Sequence, residues 1–251
     1  MPSWISPDEA AGAIRTGTGL GVRIAVLDSG IETRHPALGG VAWGEDLAVV
    51  EAGFQIEVMP GGGHDLFGHG TAVAGIIHRM APEAEIASFR VLGSSLEART
   101  AIVQEGALLA IERGYHILNC SFGCMISEHV HRYKHWVDRA YINGAHVVAA
   151  CSNSGAHRQE WPAFFSSVIG VNMARAESDQ LLLLRRGTLV EFAAHGVDVD
   201  VPWSEGKTKR VTGSSFAAPH VTGLLARLLS VHPHLHPLEA KALLRRIALE
   251  T

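Results

Sequence analysis

The chain has 251 residues, of which 47% are hydrophobic, and this is enough material for one large packed domain. Lys and Arg total 21 against 25 Asp and Glu, so the net charge is -4, and no long basic run argues for nucleic acid or an anionic membrane as partner. No stretch approaches the roughly 20 apolar residues of a membrane span, and the N-terminus lacks a basic start followed by an apolar core. We therefore predict a single domain over residues 1–251 that receives its partner in a cleft.

Short apolar runs alternate with amphipathic stretches, which is typical of an α/β fold on a mainly parallel sheet. In chain order the pattern predicts strands at 23–27 and 85–91, a helix at 98–113, a strand at 116–120, a helix at 128–143, and strands at 146–150 and 168–171. Both helices end near a glycine, Gly114 and Gly144, as helices with glycine stops do.

Three further segments are predicted from turn residues. The Gly-rich piece at 59–64 indicates a mobile loop. Segments 189–193 and 197–201 flank the turn residues His195 and Gly196 and predict a small antiparallel hairpin. Two helices then close the chain, and Pro237 marks the first turn of the last one.

Cysteine and histidine usage bears on compartment and on metal binding. Three cysteines, Cys120, Cys124 and Cys151, are too few and too odd in number for a disulfide framework, which favours a cytoplasmic location. The chain has 15 histidines, with three of them at 232, 234 and 236, but no carboxylate or cysteine lies near these three at a metal-site spacing. We expect surface histidines there and no metal.

The chemistry concentrates at three ends of predicted elements. Asp28 follows a buried strand, His69 opens a helix of small residues, and Ser215 lies at the amino end of an apolar helix, where the helix dipole favours developing negative charge. Singly, they could be a turn or cap residue, a hydrogen-bonded helix-start histidine and an N-cap. Together they form the set that nucleophilic acyl transfer needs, because the serine is inert until a base takes its proton and the base needs a carboxylate to fix its tautomer.

Three ordered motifs carry a family resemblance. DSGI around Asp28, GHGT around His69 and GSSFAAPH around Ser215 resemble the signature blocks of the subtilisin-like serine proteases (subtilases, peptidase S8), which share the chain order Asp, His, Ser. The similarity extends from about residue 22 to about residue 244. It implies a three-layer α/β/α fold with a mainly parallel central sheet.

The resemblance also implies roles for other residues. Asn153 matches the asparagine that helps to hold the oxyanion, although by itself it would be read as a turn residue before Ser-Gly. The backbone N–H of Ser215 would be the second donor. An extended polypeptide substrate would pair with Ser121, Phe122 and Gly123 on one side and with the 90–93 region, including Leu92 and Gly93, on the other. An ordinary strand end and loop are the alternative for both segments.

Glu160 carries a hypothesis about specificity. Matching Trp161 and Pro162 to the family pattern places Glu160 near the floor of the primary specificity pocket, where a glycine is commoner. An acid there would pair with Arg or Lys of a substrate. The alternative is a solvated glutamate paired with Arg158.

Two departures from the family pattern affect cofactors and maturation. Ala72 replaces a second histidine, and the predicted helix continues through Met80, so the loop that usually carries a tight calcium site is missing. We expect no cofactor and no calcium at that position, while weaker calcium sites elsewhere stay open. Residues 1–20 form an N-terminal extension with no evident propeptide, as expected of a mature form or of a chain that folds without one.

The predicted function is that of a serine endopeptidase acting through an acyl-enzyme, with removal of a leader from a modified peptide inside the cell as a specialised version. One alternative is a peptide acyl transferase or cyclase, which usually needs a lid to exclude water, and no long insertion indicates one. Another is a catalytically silent peptide-binding module, which predicts the loss of a catalytic side chain. A separate inhibitor or a dedicated substrate would restrain such an enzyme in the cytoplasm.

Overall fold

Helices and strands alternate along the chain in the computed structural model, which describes residues 5–155 and 157–250. The helices are α1 (Pro7–Thr16), α2 (His69–Met80), α3 (Thr100–Glu112), α4 (Val130–Ile142), α5 (Ser214–Val231) and α6 (Pro237–Ile247). The strands are β1 (Arg23–Asp28), β2 (Ala42–Ala52), β3 (Gln55–Pro60), β4 (Glu85–Arg90), β5 (Ile117–Cys120), β6 (His146–Ala150), β7 (Ile169–Ala174), β8 (Leu183–Leu184), β9 (Phe192–His195), β10 (Val199–Trp203), β11 (Lys207–Val211) and β12 (Leu249–Glu250).

Ten of the strands between residues 5 and 250 form one sheet in the order β12-β8-β9-β7-β6-β5-β1-β4-β2-β3, and β10 and β11 form a separate pair. All neighbours in the centre, from β9 to β2, pair in parallel. Antiparallel pairs occur only near the edges of this sheet, at β8 with β9 and at β2 with β3. The prediction of a mainly parallel sheet is confirmed.

Helices cover both faces of the sheet, and β1 shows why. Its side chains alternate, so that Ile24 and Val26 join the core beneath α1, α2, α5 and α6, while Ala25 and Leu27 join the core beneath α3 and α4. A strand buried on both faces reads as a continuous apolar run, as this one does. The three-layer α/β/α architecture predicted from the sequence is confirmed.

The hairpin predicted from segments 189–193 and 197–201 is wrong. Strand β9 instead pairs in parallel with β7 in the main sheet, and β10 pairs with β11. The true turn lies at Glu205 and Gly206, both with positive φ, which is the backbone form that favours tight hairpins. Four of the five residues of β11 are exposed, so the strand carries no alternating apolar signal.

The sequence pattern does not predict strands β2, β3, β8 and β12 or helix α1. It predicts a loop at 59–64, yet Met59 and Pro60 end β3, an exposed edge strand that pairs with β2 across a turn at Gly53. Helix α1 lies within the predicted N-terminal extension and begins with a capping box between Ser6 and Glu9.

Candidate active site

Asp28 and His69 meet where β1 ends and α2 begins. Both Asp28 oxygens lie close to His69 Nδ1, at 2.8 and 3.0 Å, and both side chains are buried. The Ser29 N–H donates to Asp28 Oδ1 at 2.7 Å. Asp28 therefore fixes the ring so that Nδ1 carries the proton and Nε2 can act as a base.

Glycine at position 70 allows this close approach of helix and strand. A β-carbon at Gly70 would lie 2.1 Å from the Gly30 carbonyl oxygen and 3.1 Å from Asp28 Cβ. Gly68, which caps the helix at φ 108°, similarly faces the Trp203 ring at 2.6 Å from the position of an added β-carbon. Both glycines of GHGT thus have a packing reason, and Gly68 has a conformational one as well.

Asp65, which sequence reasoning missed, secures the entry to α2. One of its oxygens accepts hydrogen bonds from Ser29 Oγ and from the N–H groups of Phe67 and Gly68, at 2.7, 3.0 and 2.7 Å. The other accepts from the N–H and the hydroxyl of Thr71 at 2.8 and 2.6 Å. Asp65 is thereby linked through Ser29 to Asp28. The available signal was an aspartate four residues before His69, at a helix start with no other side-chain cap.

The pKa of His69 reflects two opposing effects. Burial lowers the pKa because it disfavours the imidazolium, whereas the charge of Asp28, its hydrogen bond and the more distant charge of Asp65 raise it, and the net result is a raised pKa. A histidine with a raised pKa is a stronger base once it is neutral, as proton abstraction from a serine requires.

Ser215 lies in the first turn of α5 beside this pair. Its hydroxyl donates to the Ser121 carbonyl at 3.1 Å, and no hydrogen bond joins it to His69 within the described residues. The next residue, Phe216, packs against the imidazole of His69 with ring centroids 5.2 Å apart. The nucleophile, base and carboxylate predicted from the sequence thus converge on the start of α5.

A buried polar chain ties α5 to the end of β5. Ser121 Oγ donates to the Ser215 carbonyl at 2.8 Å and accepts from Asn119 Nδ2 at 3.1 Å. Thr222, two turns further along α5, donates to Asn119 Oδ1 at 2.8 Å. Ser121, predicted as a substrate contact, therefore also positions Ser215.

Asn153 is oriented by the residue that precedes the nucleophile. Its Oδ1 accepts from the N–H of Ser214 at 2.9 Å and from the Ser214 hydroxyl at 3.0 Å, and that hydroxyl also lies 2.6 Å from the Cys151 carbonyl oxygen. With Oδ1 engaged, Nδ2 makes no hydrogen bond to the described residues and is available as a donor. Sequence reasoning missed this role of Ser214.

The predicted substrate segments flank the end of β1. The Asp28 carbonyl accepts from the N–H groups of Val91 and Leu92 at 2.9 and 3.1 Å, which fixes the 90–93 segment beside the site. Leu92 is buried in the core, so its side chain is not free to contact a ligand, whereas Gly93 is partly exposed. Of the opposite segment, Phe122 is half-buried and Gly123 is exposed.

Glu160 lies directly against Gly123. A β-carbon at position 123 would be 2.3 Å from Glu160 Cγ and 2.8 Å from Oε1. Backbone hydrogen bonds in both directions between Cys124 and Trp161, at 2.8 and 2.9 Å, hold the two segments together. Sequence matching and geometry therefore both place this carboxylate next to the predicted substrate segment.

The cysteines near the site are thiols. Burial raises the pKa of Cys120, and burial followed by the charge of Glu160 raises the pKa of Cys151 to about 12. None of the three cysteines forms a disulfide. In the described ranges no group of three or more His, Cys, Asp or Glu side chains is arranged to hold a metal ion. No helix among these residues is both long and apolar enough to cross a membrane.

Comparison with known proteins places this arrangement among proteases. A family model described as "Subtilase family" matches residues 19–250. Subtilisin Savinase of Lederbergia lenta is 31% identical over 243 residues, covering 93% of this chain and 86% of that protein. M-protease of Shouchella clausii is also 31% identical over 93% of this chain, but the chain spans only 60% of its length.

Solved structures agree. The crystal structure of a cold adapted subtilisin-like serine proteinase aligns with a TM-score of 0.76 at 27% identity, covering 92% of this chain and 83% of that one. A structure titled S41 Psychrophilic Protease also aligns at a TM-score of 0.76, covering 93% of this chain and 86% of that one, and at 23% identity it supports the fold alone.

Proposed function

Because this chain belongs to the subtilase family, we propose that it is a serine endopeptidase that hydrolyses peptide bonds through Ser215, His69 and Asp28. The observation that carries the proposal is the buried Asp28–His69 pair, at 2.8 Å, facing the first turn of a helix that presents a serine. All the side chains that the reaction requires are present, which argues against a catalytically silent binding module.

In the proposed first step, the Ser215 hydroxyl turns from the Ser121 carbonyl to His69 Nε2. His69 takes its proton as Oγ attacks the scissile carbonyl, and Asp28 stabilises the resulting imidazolium without becoming protonated. The imidazolium then protonates the leaving amine, and the acyl group remains on Ser215. A water molecule, deprotonated by His69, hydrolyses this ester in the second step.

The developing oxyanion would be stabilised by Asn153 Nδ2 and by the N–H of Ser215. The N–H groups of the first turn of a helix have no intrahelical acceptor, and the helix dipole adds positive potential there. Ser214 orients Asn153 in advance, so little reorganisation is needed when charge develops.

The substrate class that this site fits is an extended polypeptide. Backbone pairing with Ser121–Gly123 and the 90–93 segment would bind the main chain, since peptide recognition by strand addition makes modest demands on sequence. Removal of a leader peptide, action in the cytoplasm and restraint by a separate inhibitor stay predictions from the sequence.

Labelling with a fluorophosphonate probe followed by peptide mapping tests the proposal. We expect one labelled residue, Ser215, and no labelling of Ser215→Ala. Ser230→Ala is the matched control, because Ser230 lies on the same helix and, among the described residues, its hydroxyl bonds only to the local Arg227 carbonyl. A folded chain that the probe does not label would contradict the proposed function.

A further inference from the structure

Glu160 is held close to the reacting centre by two segments that both contact the start of α5. One segment contains Ser121, whose carbonyl accepts from Ser215 Oγ at 3.1 Å, and reaches Gly123 two residues later, where Glu160 packs. The other contains Asn153, whose Oδ1 accepts from the Ser214 N–H at 2.9 Å. An acyl group on Ser215 with its oxygen at Asn153 would extend its side chain between these segments, toward the carboxylate.

The carboxylate of Glu160 is incompletely satisfied. Its Oε2 is buried and has no hydrogen-bond partner among the described residues. Arg158, the partner considered from the sequence, makes no ion pair with Glu160 within 4.0 Å in the structure. Burial raises the pKa of Glu160, while the Ser152 hydroxyl and the charge of Arg158 partly offset that rise. A buried carboxylate oxygen without a hydrogen-bond partner is costly, and a ligand that supplies a positive donor to Oε2 reduces that cost.

The contact with Gly123 places the Glu160 carboxylate at the predicted substrate segment. Because Gly123 has no side chain, Glu160 packs over it, with Cγ and Oε1 only 2.3 and 2.8 Å from where a β-carbon would be. Arg and Lys combine a long aliphatic stem with a charged donor at its end. An apolar side chain would leave the carboxylate unpaired, and an acidic one would be repelled.

We infer that Glu160 selects substrates with Arg or Lys as the residue that supplies the scissile carbonyl. This inference rests on the proposed endopeptidase function and names the substrate class of that site. A charge-assisted hydrogen bond from Arg or Lys to Oε2 of Glu160 corresponds to a preference of roughly tenfold to 100-fold over an uncharged side chain.

The test compares kcat/KM for two peptides that differ only in Arg or Leu at that position. We expect the wild-type chain to cleave the Arg peptide roughly tenfold to 100-fold faster. In Glu160→Gln this ratio should fall to about one, with the Leu peptide changed less than about threefold. Glu160→Asp keeps the charge and should retain part of the preference, which covers the case that the glutamine variant folds poorly.

Glu112→Gln is the matched control, since it removes the same charge from an exposed position at the end of α3 and should leave the ratio unchanged. Wild-type preference for Leu, or an Arg preference that survives in Glu160→Gln, would overturn the inference. Fluorophosphonate labelling of Ser215 separates the two proposals: labelling without an Arg preference refutes the role of Glu160 alone, whereas no labelling refutes the endopeptidase function and this inference with it.

Discussion

Replacing Asp65 by asparagine tests whether the start of α2 positions the catalytic base. Asparagine can still accept at one oxygen, where Ser29, Phe67 and Gly68 donate. The second oxygen of Asp65, however, is replaced by the NH₂ group of asparagine, which cannot accept a hydrogen bond. This group would face the N–H of Thr71, and the two hydrogen bonds from Thr71 would be lost or rearranged. Hydrogen bonds to charged groups contribute about 1.5–3 kcal/mol each. Since Asp65 is only partly buried, we expect the free energy of unfolding to fall by about 3 kcal/mol in total.

The same substitution should change the pH dependence of catalysis. The charge of Asp65 is one of the effects that raise the pKa of His69, so its removal should lower that pKa. His69 acts as a base only when neutral, and the acidic limb of the kcat/KM profile reports its pKa in the free enzyme. The acidic limb should therefore move to lower pH in Asp65→Asn, while the maximal rate falls because the ring is held less firmly.

Urea unfolding at pH 7 and a pH profile of kcat/KM measure the two effects. Glu112→Gln, which removes a negative charge from an exposed site, should alter neither. An acidic limb that stays in place, or that moves to higher pH, would refute the electrostatic reasoning. A loss of stability below about 1 kcal/mol would show that the hydrogen bonds to Asp65 are replaced by water.

Three further substitutions test packing and positioning. Gly70→Ala should reduce kcat/KM at least 100-fold, because its β-carbon would lie 2.1 Å from the Gly30 carbonyl oxygen and would separate His69 from Asp28. The control Gly12→Ala in α1, where the nearest atom is 3.8 Å away, should be neutral or stabilising. Equal activity of the two variants would contradict this reasoning. Ser214→Ala should lower kcat about tenfold with little change in KM, because the backbone N–H of residue 214 still holds Asn153. Asn153→Ala should lower kcat more, by roughly 100-fold or greater. Steady-state kinetics on one peptide would measure both losses, and an unchanged kcat in Ser214→Ala would exclude a positioning role. Lys241→Met should lower the free energy of unfolding by about 3 kcal/mol, because the buried ammonium donates to the Ser166 and Val168 carbonyls at 2.7 and 2.8 Å and lies near Glu191. Urea unfolding at neutral pH measures the loss. A variant as stable as wild type would show that these carbonyls need no donor.

The features predicted best from the sequence are those that depend on the pattern within a single helix or strand. The apolar run of β1 and the helix start at His69 each carry a local pattern, and both elements were predicted near their true bounds. Asp28 ends β1, whereas His69 and Ser215 lie in the first turns of α2 and α5. Their residue types and the three motifs identified the predicted triad without knowledge of the register of any strand.

The features that the sequence did not predict depend on the pairing of strands or on hydrogen bonds to particular oxygen atoms. Strands β3 and β11 are mostly exposed, and only their antiparallel partners reveal them as strands. Asp65 accepts from the hydroxyl of the distant Ser29, and Ser214 donates to the distant Cys151 carbonyl, and residue types alone do not specify such partners. The backbone pairing predicted for Leu92 stays a prediction, and its side chain is buried with that of Val91 in the core beneath α3 and α4.

The polar chain from Asn119 through Ser121 to α5 also has a consequence for when the enzyme becomes active. Asp28 and His69 are brought together by elements that follow closely in sequence, whereas Ser215 reaches them only once α5 has docked onto β5. A chain in which α5 has not docked has no nucleophile beside the base and its carboxylate. Because most of α5 is buried in the core beneath α1, α2 and α6, its docking completes the fold and the site together. Proteolysis would therefore be confined to fully folded molecules.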